Sequence, residues 1–288
     1  MQVLSIQSAV SYGHVGNSAA VFPLQRLGHE VLPVHTVLFS NHTGYGAWRG
    51  SVLDAEAVHE VILGIEERGA LAGTDLVLSG YLGNPEIAEV VLDAVARVRQ
   101  ANPAAVYACD PVMGNAVSGC YVDPSIPVLL RDRVVPTADL ITPNQFELGH
   151  LTGALPSERP PALSELVAAA HDARAAGPQT VLVTSVEHAD SDPGTIGLLA
   201  LTDDGAWSVT TPRLPLRSNG SGDVTAALFA AHLYAGAGVE VALARTASSV
   251  FDLLENTVLA KSRELRLVES QEVFAHPRMQ FEVTRLSG

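Results

Sequence analysis

The hexapeptide Ser218-Asn219-Gly220-Ser221-Gly222-Asp223 sets a carboxylic acid at the end of a glycine turn, directly before an apolar helical stretch at 224–234. Glycines let a backbone turn with its N–H groups bare and convergent, and the helix that follows adds its positive end. Such a turn is an anion hole suited to a phosphoryl group in transfer. A carboxylate beside it can take the proton of an attacking hydroxyl. The same residues also fit a plainer reading, a glycine turn with Asp223 as helix N-cap.

Two further motifs carry acids at strand ends. Thr142-Pro143-Asn144-Gln145-Phe146-Glu147 follows a short apolar run and sets an amide and a carboxylate three residues apart on one face of a starting helix. Asn144 and Glu147 can hold Mg²⁺ beside phosphates, directly or through water. They also have the spacing of a capping box. In Cys109-Asp110-Pro111-Val112-Met113-Gly114, Asp110 ends another strand. In open α/β sheets that edge is where ligands bind, although Asp-Pro is also an ordinary turn former.

These motifs need elements to hold them. β-rich runs at 3–6, 31–37, 76–78, 106–109, 140–141 and 181–183 alternate with helical patterns at 16–27, 55–67, 85–100, 163–175, 224–234 and 239–259. Strands apolar on both faces and spaced by helices predict a mostly parallel sheet covered on both sides. The runs 196–201 and 206–210, joined by Asp203-Asp204-Gly205, predict a hairpin. Gly28 stands where a helix C-cap glycine belongs, and Pro23 is expected to kink the first helix or mark a late start. The proline-rich stretch 156–161 is expected as a surface loop within one domain. The two helices at 224–234 and 239–259 are read as core, with no site beyond the first turn of the former.

With 31 acidic against 17 basic residues, a net charge of -14, the chain lacks the balance of a nucleic-acid binder. An acidic enzyme still binds ATP where Mg²⁺ and amides supply the positive field. The start carries no basic-then-apolar leader pattern and no run approaches membrane-spanning length, so a soluble cytoplasmic protein without membrane attachment is expected. Cys109 and Cys120 are too few for a disulfide scaffold. His14 and His42 have no third ligand spaced with them and are expected to be hydrogen-bonding loop histidines.

A strand-end Asp, a strand-end Asn-x-x-Glu and a Gly-x-Gly-Asp opening a helix near the C-terminus, in this order, resemble the ribokinase-like superfamily. Within it the chain resembles the pyridoxal kinases, the shorter bacterial type most. The likeness spans roughly residues 3–285 as one domain. It includes Ile6-Gln7-Ser8, Tyr12-Gly13-His14-Val15-Gly16-Asn17-Ser18-Ala19-Ala20, Phe39-Ser40-Asn41-His42-Thr43 and Leu78-Ser79-Gly80-Tyr81-Leu82-Gly83.

The resemblance implies a ribokinase-like three-layer α/β/α domain over 1–288 with a small β flap near 31–43, acting as a homodimer. It implies transfer of the ATP γ-phosphoryl to the 5′-hydroxymethyl of pyridoxal, in vitamin B6 salvage. ATP with Mg²⁺ and pyridoxal would be its partners, and a monovalent cation is left open. Ser8 matches a serine bonded to the pyridine ring, and Thr43 and Gly44 match the segment covering the vitamin. Tyr81 lines the pocket near the phosphates, and Asp110 and Glu147 match the ATP–Mg²⁺ acids beside Asn144. Gly220, Ser221 and Gly222 match the anion hole. Asp223 matches the base that meets the substrate hydroxyl. Thr211, Pro212, Arg213 and Leu214 fall where the chain crosses the nucleotide. One departure is Thr184, followed by Ser185, where the family commonly has a lysine near the phosphates. Rival readings are a kinase for another hydroxymethyl heterocycle, such as the thiamin-pathway hydroxymethylpyrimidine, or for a sugar, and a weakly active B6-binding protein.

Overall fold

In the computed structural model, which describes residues 1–155, 159–216 and 218–286, the β-branched and leucine-rich runs pair into one large sheet. Its strands are β1 (Gln2–Tyr12), β2 (Glu30–Asn41), β3 (Gly50–Val52), β4 (Thr74–Ser79) and β5 (Val106–Cys109), with β8 (Leu140–Ile141), β9 (Thr180–Val186), β10 (Thr195–Thr202), β11 (Gly205–Pro212) and β12 (Val283–Leu286). A separate small hairpin comprises β6 (Gly114–Asn115) and β7 (Gly119–Cys120). The helices are α1 (Asn17–Arg26), α2 (Ala55–Glu67), α3 (Ile87–Ala101), α4 (Ile126–Leu129), α5 (Gln145–Thr152), α6 (Leu163–Ala175), α7 (Ser221–His232), α8 (Val239–Leu259) and α9 (Gln271–Ala275). Strand order is β12-β11-β10-β9-β8-β5-β4-β1-β2-β3. The pairs from β2 to β9 through β1, β4, β5 and β8 are parallel, while β3, β10, β11 and β12 join antiparallel.

The period of two along each strand divides the core into two layers. Leu4, Val77, Tyr107, Ile141 and Val181 face α2, α3, α5 and α6. Their neighbours Val3, Leu76, Ala108, Leu140 and Leu182 face α1, α7 and α8. The three-layer α/β/α architecture follows directly from strands apolar on both faces.

Several boundaries differ from the sequence expectation. β1 and β2 run well past 6 and 37, because their ends continue to pair with each other (Val10 with Phe39, Tyr12 with Asn41) after β4 has stopped. β3 then folds back on Phe39, and the turn at Thr43–Tyr45 caps this flap. α1 continues unbroken across Pro23. α7 begins at Ser221, three residues before the expected start. Of the loop expected at 156–161, residues 156–158 lie outside the described residues, and 159–161 are in neither helix nor strand. Among the described residues no helix is long and apolar enough to cross a membrane.

Candidate active site

Parallel strands β1, β4, β5, β8 and β9 end at one edge of the sheet, and β11, antiparallel to an antiparallel strand, ends there too. A cleft of about 1840 Å³ runs along this edge. Every candidate site residue lines it: Ser8, Thr43, Gly44 and Tyr81 toward the β1–β4 side, Asp110, Asn144, Glu147, Thr184 and Thr211 to Leu214 toward the β5–β11 side, together with Gly220 to Asp223.

Asp223 occupies the third position of α7, and Gly220 is the N-cap, so the plainer reading of Asp223 as cap does not hold. Its carboxylate instead lies beside the backbone N–H groups of Gly16 and of Asp223 itself, which favour its charged form. Burial raises the Asp223 carboxyl to about 6, partly offset by those two donors. Gly220 has φ 88°, and a side chain there would run into the His14 carbonyl. Glycine is therefore required both by conformation and by close approach. A Cβ on Gly222 would meet nothing within 4 Å, which leaves the first turn of α7 open to the cleft.

The Asn144–Glu147 pair is a capping box, as its spacing allowed. Asn144 Oδ1 accepts the Glu147 N–H at 2.9 Å and Glu147 Oε2 accepts the Asn144 N–H at 2.9 Å. Glu147 does more than cap. Its Oε1 accepts the amides of Met113 at 2.9 Å and Gly114 at 3.3 Å, while Asn144 Nδ2 donates to the Gly114 carbonyl at 2.8 Å. The pair thus fixes the loop that follows Asp110. Asp110 accepts the Thr142 hydroxyl at 3.0 Å through Oδ1. Burial, then the charges of Glu147 and Asp223, raise the Asp110 carboxyl well above its usual range. Burial likewise raises Glu147 to about 7 against its three amide donors.

Buried Asp110 is raised by the charges of Glu147 and Asp223, and buried Glu147 by that of Asp223, a set of acids that a divalent cation would relieve. Asp110, with Oδ2 uncommitted, fits direct contact with Mg²⁺; Glu147, bonded through both oxygens, fits contact through water. Among the described residues no cluster of three or more His, Cys, Asp or Glu is arranged to hold a metal alone.

Thr184 ends the regular part of β9, its N–H donating to the Pro143 carbonyl at 2.9 Å, and Ser185 follows with φ 55°. Arg213, the cation nearest in role, is held by Glu187 at 2.6 Å and by the Thr195 carbonyl at 3.2 Å. Ser8 is only 5% exposed and lines the cleft at the end of β1's pairing with β4. Tyr81, raised by burial, stands across the sheet edge beside Val37 and Phe39.

His14 and His42 behave as hydrogen-bonding loop histidines: His14 Nδ1 meets the Ser18 carbonyl at 3.1 Å and His42 Nε2 meets Glu264 at 3.1 Å. Sequence reasoning missed Ala247, Val250, Phe251 and Leu254, which give α8 a wall of the cleft. It also missed Tyr121 beyond the β6–β7 hairpin and the Arg263–Glu264 pair. The α8 residues repeat the apolar spacing of a core helix and carry no separate signal.

The family model described as phosphomethylpyrimidine kinase matches residues 52–264. A pyridoxal kinase PdxY of Leifsonia xyli subsp. xyli is 65% identical over 99% of this chain and 100% of its own length. One of Corynebacterium diphtheriae is 60% identical over the whole of both chains. Among solved structures, a pyridoxal kinase from Leishmania donovani in complex with ADP and pyridoxamine superposes with a TM-score of 0.92 at 31% identity, covering 99% of each chain.

Proposed function

The chain belongs to the pyridoxal kinases of the phosphomethylpyrimidine kinase family, and from that premise we propose how its cleft transfers the γ-phosphoryl of ATP to the 5′-hydroxymethyl of pyridoxal. Asp223 accepts the hydroxyl proton. A carboxyl raised to about 6 is largely ionised at neutral pH yet basic enough to receive a proton in the transition state. The N–H groups of residues 220–222 face the developing charge on the phosphoryl oxygens. Ser8, Thr43, Gly44 and Tyr81 hold the vitamin, with Asp223 at its reacting end. Asp110, Asn144, Glu147, Thr184 and the Thr211–Leu214 segment hold the nucleotide. Mg²⁺, held by Asp110 and through water by Glu147, would neutralise phosphate charge.

One observation carries this reading: Asp223 lies in the first turn of α7 beside the Gly16 amide, on the same cleft as both sets of residues. The relatives' printed names and the ADP–pyridoxamine complex of the Leishmania protein support the two substrates. We also read the enzyme as a cytoplasmic homodimer. The edge strand β3, its neighbour β2 and the connection between them leave Val52, Leu38 and Trp48 between 42 and 49% exposed, a surface suited to a second copy. Sedimentation equilibrium tests the dimer.

An ATP-coupled screen of pyridoxal, pyridoxine, pyridoxamine, the hydroxymethylpyrimidine and ribose tests the function. Turnover greatest with a B6 vitamer is expected. Turnover confined to the pyrimidine or to ribose would reassign the acceptor, and vitamin binding without turnover would make the chain a binding protein.

A further inference from the structure

Glu264 lies just beyond α8, far in sequence from every motif above, yet its side chain is only 12% exposed. Its carboxylate gathers donors from two other parts of the chain. Oε1 accepts the Tyr45 hydroxyl at 2.5 Å and faces His42 Nε2 at 3.1 Å, both in the flap turn. Oε2 accepts the His14 N–H at 3.2 Å, in the loop between β1 and α1. A carboxylate in this place fixes Nε2 as the protonated nitrogen of His42. The Glu264 bond is also the main cause that raises the Tyr45 hydroxyl far above its ordinary value. The Arg263 guanidinium lies over the Tyr45 ring, 4.6 Å from its centre. Glu264 is itself pinned, its N–H and C=O both bonded to the Ser262 hydroxyl at 3.2 and 2.7 Å.

Both segments that Glu264 grips lead to the reacting centre. The loop carries the His14 carbonyl, against which Gly220 packs, and the Gly16 N–H that holds Asp223. The flap turn carries Gly44. A side chain on Gly44 would begin 3.0 Å from both Asn219 Nδ2 and His42 Nδ1, so flap and anion-hole turn meet there at close range. Among the described residues His42 Nδ1 is buried without a partner. The one strong bond of that imidazole is therefore the one to Glu264.

Building on the kinase reading, we propose that Glu264 is a positioning residue for phosphoryl transfer: its carboxylate latches the flap turn 42–45 shut over the acceptor side of the cleft and, through His14, fixes the loop that orients Asp223. A latched flap excludes water, the competing acceptor of the γ-phosphoryl. In this role it acts through the flap and the loop rather than on the reacting atoms. Its loss acts on acceptor retention and on coupling, and leaves the nucleotide end of the cleft alone.

The test compares Glu264→Gln and Tyr45→Phe with the wild type, as full chains with MgATP and pyridoxal. ADP release and pyridoxal phosphate formation are measured separately, ATP binding is measured by calorimetry, and folding is followed by melting. Glu264→Gln is expected to raise KM for pyridoxal about tenfold or more, in line with the loss of a charge-assisted bond. ADP released per pyridoxal phosphate should rise above the wild-type ratio, and ATP affinity should stay within about twofold. Tyr45→Phe should move both readouts in the same direction by less, and it serves alone if Glu264→Gln does not fold. A folded variant with unchanged KM and unchanged ADP-to-product ratio overturns the latch. A merely structural role would lower the melting temperature without moving that ratio, which also overturns it. If the wild type phosphorylates no B6 vitamer, the kinase reading fails by itself. The latch is then read by hydrogen exchange at residues 42–45, where exchange no faster in Glu264→Gln than in the wild type overturns it.

Discussion

The base assignment makes a prediction that joins pH to one substitution. The Asp223 carboxyl lies at about 6, against an ordinary value of 3.8, because burial disfavours its charge more than the Gly16 amide favours it. As pH falls through 6 the base becomes protonated. The ionised fraction goes from ~97% at pH 7.5 to ~9% at pH 5, so kcat/KM for pyridoxal should fall about tenfold over that interval. Asp223→Asn keeps an oxygen for the Gly16 amide but cannot take a proton. Its turnover at pH 7.5 should drop ~10²-fold or more, with ATP binding retained and the step near pH 6 gone. Stability moves the opposite way. A carboxyl raised in the fold contributes stability that is present below its unfolded value near 3.8 and is lost as pH rises through about 6. Above pH 7 the burial of this charge costs at most about 3 kcal/mol. Asp223→Asn should therefore melt above the wild type at pH 8 and no higher than it at pH 4. The assays are initial rates from pH 5 to 8.5, calorimetry with ATP, and melting curves over the same range. A folded Asp223→Asn protein with turnover within a few-fold of wild type, or with the same step near pH 6, refutes the assignment and points to another group.

Other substitutions probe the rest of the cleft. Gly220→Ala places a methyl against the His14 carbonyl at φ 88°, and should cost about 1–3 kcal/mol or more in melting experiments and abolish most turnover. Ser8→Ala and Thr43→Ala should each weaken pyridoxal binding about 2–10-fold, the range of one neutral hydrogen bond, with ATP binding unchanged; calorimetry showing the reverse would exchange the two half-sites. Thr184→Lys should lower KM for ATP about 5–30-fold, since it adds a charge-assisted bond that Arg213, tied to Glu187, does not supply. An equal or higher KM at the same Mg²⁺ would show that the absent lysine is no deficit in this chain.

What the sequence made legible was what is local. Strands apolar on both faces announced a covered parallel sheet, and the strand-end positions of Asp110, Thr142 and Thr184 placed them on one edge. The hairpin at Asp203-Asp204-Gly205 showed its turn chemistry directly. The flap was harder, since β1 and β2 persist beyond β4 only because each has the other to bond, a reason no propensity encodes. The start of α7 was misjudged because Ser221 and Gly222 are poor helix formers, and their place in the helix is set by the Gly220 turn packing on His14. Glu264 was invisible: an acid among Arg263, Arg266 and Glu269 reads as ordinary surface charge. Only the fold brings it to Tyr45 and His42.

Among the helices that begin at the working edge of the sheet, α5, α1 and α7 treat their free N–H groups differently. α5 is sealed by Asn144 and Glu147, whose carboxylate spends its acceptors on the amides of Asn144, Met113 and Gly114. α1 begins at Gly16, and that residue's amide goes to the base, Asp223. α7 begins at Gly220, which has no side chain with which to cap it, and its second residue, Gly222, leaves the first turn uncovered. An uncapped helix start carries unsatisfied donors and about half a positive charge, and it is costly unless an anion answers it. In a chain with a net charge of -14 whose cleft already holds Asp110, Glu147 and Asp223, that answer cannot be another side-chain acid without adding repulsion. A phosphoryl group fits because it brings its own cation and leaves after reaction. The glycines of residues 220–222 thus leave the start of α7 open to the transferred group, while the capping box of α5 closes that helix to it.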